Sequence, residues 1–164
     1  LWAIKGYRPE RMHIIEELLN SGSPIDGQAL YLAGRFHPEL LGRLPDPNVF
    51  APGNAHAIDA ALLDAARTGR AADILRFIKL GANPETGDYF HGNEGWNSLH
   101  LVCHRCDLPA FEALFAKFFN IHRLTNKGQT ALMILAASEA TKKLTNDAAK
   151  IRARLEARAK EYPT

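Results

Sequence analysis

The sequence predicts an all-α fold built from repeated helix pairs. Segments 95–100 (Gly-Trp-Asn-Ser-Leu-His) and 128–133 (Gly-Gln-Thr-Ala-Leu-Met) begin with glycines that are 33 residues apart. A fixed period of this length is typical of solenoid proteins, in which each unit is a small helical motif. Apolar residues between these segments recur at helical spacing, and each helix pair leaves an apolar face that only a stacked neighbour covers. The two clearest stripes are Ile74, Phe77 and Ile78, and Ala110, Leu114 and Phe118.

Length and composition are those of an ordinary globular domain. The chain has 164 residues, of which 46% are apolar and 23% charged, and its net charge is +2. This small charge gives no general attraction to nucleic acid or acidic membranes. Two cysteines exclude a secreted disulfide framework, so we expect a reducing intracellular (cytoplasmic) compartment. Because the chain begins at Leu1 without an initiator Met, we expect it to be part of a longer protein.

The repeated segments resemble the ankyrin-repeat family, whose signature reads Gly-x-Thr-Pro-Leu-His. Segment 95–100 has Asn97 and Ser98 in place of Thr-Pro, and segment 128–133 has Ala131 for Pro and Met133 for His. Residues 61–69 and 74–83 resemble the remainder of the motif, Leu-His-x-Ala-Ala-x-x-Gly followed by a helix that ends in Gly-Ala-Asp. The resemblance implies a solenoid of about four irregular helix pairs joined by finger loops.

We divide the single ankyrin-like domain, residues 1–164, into five parts. Residues 1–26 are a divergent repeat, and residues 27–58 a degenerate repeat and a proline-containing loop. Residues 59–94 and 95–127 are two further repeats, and residues 128–164 are the final repeat with a long amphipathic capping helix. The apolar stripe of that last helix is Leu144, Ala148, Ile151 and Leu155.

Small residues and glycines predict local packing. We expect small side chains in the first helix of each pair to let neighbouring helices approach, and glycines that follow the apolar stripes to end helices in the left-handed conformation. The small residues are Ala65, Ala66, Val102, Cys103 and Ala136, and the glycines are Gly22 and Gly81.

The candidate chemical groups do not form an active site. Cys103 and Cys106 have the spacing of a zinc-ligand pair, but a structural zinc site needs four ligands and no second pair occurs. The repeat register places Cys103 in the core and Cys106 at the turn between helices. No nucleophile with a base, phosphate-binding loop or metalloprotease motif is found. We therefore expect no metal, no cofactor and no catalysis by these residues. For His100, the resemblance implies a structural role in which the imidazole ties adjacent loops together.

One loop departs from the repeat period. Fourteen positions separate Gly81 from Gly95, whereas about ten are typical of the family, and we call residues 81–95 finger 1. Its adjacent aromatics and local acidity predict a contact surface, with Tyr89 and Phe90 as the main contacts and Asp88 and Glu94 attracting a basic partner surface. In the alternative, Phe90 and Trp96 fold back and cover the edge of the stack.

The resemblance also implies that the fingers and the first-helix surface hold a folded protein partner. We therefore predict a monomeric protein-recognition module that binds neither nucleic acid nor membrane. By the repeat register, the first-helix surface consists of Asp64, Arg67, Thr68, Leu101, His104, Arg105, Ile134 and Ser138, of which Arg67, His104 and Arg105 are the leading candidates for partner contact.

An alternative makes the chain the substrate-recognition part of a larger enzyme. Its irregular Ala- and Arg-rich repeats are similar to ankyrin modules at the C-termini of secreted bacterial effectors, among them the arginine ADP-riboxanases that modify host caspases. In that case the partner is a host caspase, and the protein is a virulence factor secreted into the host cytoplasm.

Overall fold

The described part of the chain is helical. The computed structural model describes Glu17, Ser21 and residues 55–88, 95–115, 117, 120–142 and 146–161. Within these residues there are six α-helices and no β-strand, which confirms the predicted all-α class. They are α1 (Ala55–Thr68), α2 (Ala71–Lys79), α3 (Ser98–Arg105), α4 (Leu108–Phe115), α5 (Ala131–Lys142) and α6 (Asn146–Glu161).

The chain divides into two compact units, Leu1–Ala61 and Leu62–Thr164. In the first unit, the Ser21 backbone N–H donates to the Glu17 carbonyl at 2.9 Å, a helical i→i−4 bond. The predicted divergent repeat (1–26), with its Gly22 cap, and the degenerate repeat and loop (27–58) otherwise lie almost wholly outside the described residues. The second unit contains the residues discussed below.

Two helix pairs of the second unit turn in the same way. The Arg70 N–H donates to the Ala65 carbonyl at 3.0 Å after α1, and the Asp107 N–H donates to the Val102 carbonyl at 3.3 Å after α3. In both turns the residue before the donor has a positive φ, 77° at Gly69 and 57° at Cys106. These are the features of a Schellman C-cap, which reverses the chain within two residues.

The helix α2 ends in the same motif. Gly81, with φ 89°, donates its N–H to the Ile78 carbonyl at 3.1 Å, and Ala82 donates to the Phe77 carbonyl at 3.0 Å. The predicted left-handed C-cap at Gly81 is therefore confirmed.

Each helix pair has a first and a second helix, and contacts between pairs join helices of the same position. Among first helices of a pair, α3 packs against α5; among second helices, α2 packs against α4 and α4 against α6. Within pairs, α3 contacts α4 and α5 contacts α6. Contacts of the second unit thus run both within the last two helix pairs and between neighbouring pairs.

The predicted apolar and small positions form the core. The α2 stripe is buried, and so are Ala110 and Leu114 of α4, whereas Phe118 lies outside the described residues. The predicted small residues Ala65, Ala66, Val102 and Cys103 are all fully buried. Ala136 is exposed, so the prediction for this position was wrong. Ala66 and Cys103 hold the equivalent positions in the preceding pairs, but no described first helix follows α5 to cover Ala136.

The last helix packs as an amphipathic helix. Ala148, Ile151 and Leu155 are buried, which confirms the described part of the predicted stripe; Leu144 is outside the described residues. Charged side chains flank the stripe: Arg154 donates to a carboxylate oxygen of Glu112 at 2.9 Å, and the Arg158 guanidinium lies 4.5 Å from the centre of the Phe115 ring. Of the helices that the structure describes, none has the length and hydrophobicity needed to cross a bilayer.

Candidate functional site

Finger 1 has a hydrogen-bonded base. The Asp88 N–H donates to the Trp96 carbonyl at 2.6 Å, and the Gly95 N–H donates to the Asp88 carbonyl at 3.0 Å. Asp88 and Trp96 thereby form an isolated antiparallel bridge. The bridge brings the two arms of the finger together before the tip.

The next loop, residues 118–128, is closed by the same pattern, and we call it finger 2. The Thr125 N–H donates to the Gln129 carbonyl at 3.0 Å, and the Gly128 N–H donates to the Thr125 carbonyl at 2.9 Å. The closing residues are three positions apart here and seven positions apart in finger 1. The four extra residues of finger 1 therefore belong to the tip, positions 89–94, and not to its base.

An ion pair holds the base of finger 1 against α1. The Asp88 side chain, only 3% exposed, accepts a hydrogen bond from the Arg67 guanidinium, which also donates to Asp64 at 3.3 Å. Asp64 is buried as well and accepts from Arg70 at 3.2 Å. A buried carboxylate requires such partners because its desolvation is costly. Asp88 thus faces the interior, and the position of its carboxylate suits bracing of the finger better than attraction of a partner.

The arm of finger 1 that precedes Asp88 is also bonded to its surroundings. The Glu85 carboxylate accepts from the Asn120 N–H of finger 2 at 3.0 Å, and its second oxygen lies 3.9 Å from the Arg123 guanidinium. The Ser98 hydroxyl, at the start of α3, donates to the Pro84 carbonyl at 2.7 Å. Finger 1 is therefore bonded to both α3 and finger 2 outside its tip.

His100 joins α3 to finger 2. The Asn97 side chain accepts from the His100 N–H, and His100 Nδ1 accepts from the Asn97 N–H, both at 3.1 Å, which forms a capping box. Because Nδ1 is an acceptor, Nε2 carries the proton and donates to the Arg123 carbonyl at 3.1 Å. Burial lowers the pKa of His100, which favours this neutral form. The contact across loops implied for His100 is thus present.

His104 and Arg105, the candidate partner-contact residues of α3, are exposed, and their side chains contact neighbouring helix pairs. His104 Nδ1 lies 3.0 Å from the Ser138 hydroxyl of α5, and its ring meets Trp96 edge-on with centroids 5.3 Å apart. Arg105 donates to the Arg67 carbonyl, near the end of α1, at 3.3 Å. Each of these side chains therefore connects one helix pair with the next.

The predicted first-helix surface is narrower than the register suggested. Thr68, His104 and Arg105 are exposed and Arg67 is partly exposed, but Leu101, Ile134, Ser138 and Asp64 are buried. Leu101 and Ile134 belong to the apolar core. Ser138 and Asp64 are polar, and their side chains have hydrogen-bond partners on other helices or loops. These four positions were wrongly assigned to the surface.

The two cysteines are free thiols in the core. Cys103 is fully buried, and burial raises the pKa of its thiol far above its usual range. Cys106 is also buried and lies at the turn between helices, as the register predicted; its backbone there is left-handed. Among the described residues, no group of three or more His, Cys, Asp or Glu side chains could hold a metal ion.

The structure describes only some of the predicted contact residues. Tyr89, Phe90 and Glu94 lie outside the described residues, and the structure places the others around the base of finger 1 and along α3. Sequence reasoning did not find the pairing of Asp88 with Arg67, since 21 positions separate the two residues and no periodicity relates them. In the comparisons with known proteins, no family model and no curated protein matches the chain.

Proposed function

We propose that the second unit is a short ankyrin-repeat stack that recognises a folded protein, with the tip of finger 1 as the main contact. The observation that carries the proposal is the four-residue extension of a finger whose base is closed and braced. The tip contains the adjacent aromatics Tyr89 and Phe90. Aromatic side chains on a supported loop are typical of residues that dominate protein–protein binding energy.

Several features of the second unit support the ankyrin-like stack. Equivalent helix ends and equivalent finger closures recur in successive helix pairs, and a capping box opens α3. Side chains that the register places on the first-helix surface link one pair to the next. These links reduce the conformational freedom of the base of finger 1, so that binding costs less entropy than it would on a flexible loop.

The proposal also changes the roles expected of the charged residues. Arg67, Arg105 and Asp88 have intramolecular partners, and we assign them to the support of the contact surface. Direct contact with a partner is then left to Tyr89 and Phe90, with Glu94 affecting mainly the association rate.

A capture experiment with matched baits tests this function. The full chain and the variants Tyr89→Ala/Phe90→Ala and Leu124→Ala are immobilised and exposed to eukaryotic lysate, and the retained proteins are quantified by mass spectrometry. Leu124 is 56% exposed in finger 2, so its variant removes apolar surface from a loop without the extension. We expect the native chain and the Leu124→Ala variant to retain the same partner proteins. The affinity of the double variant for these proteins should be lower by roughly thirtyfold or more.

Circular dichroism of the double variant separates binding from folding. An unchanged helical spectrum with lost capture supports the proposal. Unchanged capture by the double variant rejects finger 1 as the contact, and loss of helical structure shows instead that the two aromatics cover the stack. Equal loss in both variants rejects a specific role of the extension.

A further inference from the structure

Positively charged side chains connect the first helices α1 and α3 at the surface. The Arg105 side chain, 40% exposed, donates to the Arg67 carbonyl at 3.3 Å. It also lies 3.6 Å from Asp107, of whose side chain only 18% is exposed. The adjacent His104 is exposed, and its ring meets Trp96 of finger 1 with centroids 5.3 Å apart. The two arginines thus lie beside the base of finger 1.

The positive charge continues on finger 2. Gly95 lies against this finger, since a Cβ on the glycine would approach Asn126 Oδ1 to 2.6 Å. The next residue, Lys127, has an exposed side chain, and the Arg123 side chain is 37% exposed. Positions 113–138, which include all of finger 2, contain no Asp or Glu. We call Arg67, Arg105, Arg123 and Lys127 the basic row.

The carboxylates of finger 1 and α1 do not cancel this charge at the surface. The side chains of Asp88 and Asp64 are 3% and 9% exposed, whereas that of Arg67, which is bonded to both, is 26% exposed. Glu85 of finger 1 lies 3.9 Å from Arg123 and is thereby paired. Because the two aspartates are buried while the cations reach solvent, this region presents positive charge to a partner.

We propose that the basic row faces an acidic surface of the partner protein, whose Asp and Glu side chains orient it against finger 1. This inference rests on the proposed protein-recognition function and reverses the basic partner surface that the acidity of finger 1 predicted. Such complementarity mainly raises the association rate and fixes the orientation. A protein fits better than a nucleic acid because Arg67, Arg105 and Arg123 already share carboxylates, which leaves little charge for a run of phosphates.

Binding of a fluorescein-labelled polyglutamate peptide, followed by anisotropy, tests the sign of the partner charge. The native chain should bind the peptide at about 50 mM NaCl and lose affinity at about 500 mM, because salt screens exposed charges. Arg105→Gln/Lys127→Gln should weaken binding by about fivefold or more, and Lys127→Glu alone, at an exposed loop position, by about threefold. The control Lys79→Gln/Lys150→Gln removes two exposed charges from α2 and α6 and should change the affinity by less than about twofold.

The outcomes separate this inference from the proposed function. Absence of peptide binding at about 50 mM NaCl overturns the acidic partner, as does an equal loss of affinity in the control variant. A DNA duplex with the same number of charges that binds more tightly than the peptide overturns it in favour of nucleic acid. A chain that captures proteins through Tyr89 and Phe90 but does not bind polyglutamate supports the proposed function and overturns the acidic partner.

Discussion

Gly95 and Gly128 provide a matched pair that measures how tightly finger 1 packs on finger 2. Both close a finger base in the left-handed conformation, with φ 76° and 70°. Substitution by alanine at either position costs about 1 kcal/mol from this conformation alone. The surroundings of the two residues differ. A Cβ at Gly95 would lie 2.6 Å from Oδ1 and 3.2 Å from the backbone N of Asn126, whereas a Cβ at Gly128 would have no atom within 4 Å.

Gly95→Ala should therefore destabilise the protein by more than Gly128→Ala. A Cβ at Gly95 would displace the exposed Asn126 side chain, and the Asn126 backbone moves only if finger 2 shifts; such overpacking costs about 1–2 kcal/mol more. Chemical unfolding followed by circular dichroism should give a loss of about 1 kcal/mol for Gly128→Ala and about 2–3 kcal/mol for Gly95→Ala.

The combination of Gly95→Ala with Asn126→Ala identifies the source of the difference. Removal of the Asn126 side chain should restore the part of the loss caused by its Oδ1, and the two changes should not be additive because the groups are in contact. Equal destabilisation by the two glycine variants, or strict additivity in the double variant, would refute the close approach of the two fingers.

Three further predictions concern the supports of the second unit. Burial lowers the pKa of His100 below 6.5, so as the pH falls this residue is protonated in the unfolded chain before it is protonated in the folded chain. The stability of the protein should therefore decline below pH 6.5. His100→Gln should flatten this decline in thermal melts between about pH 7.5 and about pH 5. Asp88→Asn should cost about 2 kcal/mol by removing the charge from a buried pair, and in a double-mutant cycle with Arg67→Gln the losses should be less than additive; additive losses would contradict the pairing. Ile151→Ala should cost about 3 kcal/mol in chemical unfolding because the side chain is fully buried, while the exposed control Lys150→Ala should change stability by less than about 0.5 kcal/mol; similar values for the two would show that α6 is not packed.

Periodic features of the second unit could be predicted from sequence. Apolar residues at helical spacing lie on one face of a helix, and that face packs against the core. The predicted stripes of α2 and α6 are accordingly buried where the structure describes them. The register also placed Cys106 at the turn between helices, where its φ is 57°, a conformation that its side chain does not favour.

Other features depend on contacts that no spacing encodes. The register placed Ile134 on the surface, but its side chain is buried in the apolar core. The local acidity of finger 1 predicted that Asp88 attracts a basic partner surface, but its carboxylate is buried beside Arg67 of α1. Whether Ala136 is buried depends on whether another helix packs on α5, and the sequence of α5 alone does not determine this.

The closed base of finger 1 has a consequence for how such a protein diversifies. Hydrogen bonds at Asp88 close the base of the finger, so we expect that segments of different length can replace residues 89–94 without altering the core. By loop-closure entropy, an increase from three to seven positions costs only about 0.8 kcal/mol. Replacement of residues 89–94 by unrelated sequences should therefore change what the finger recognises at little thermodynamic expense, which makes this position a suitable site for engineered binding loops.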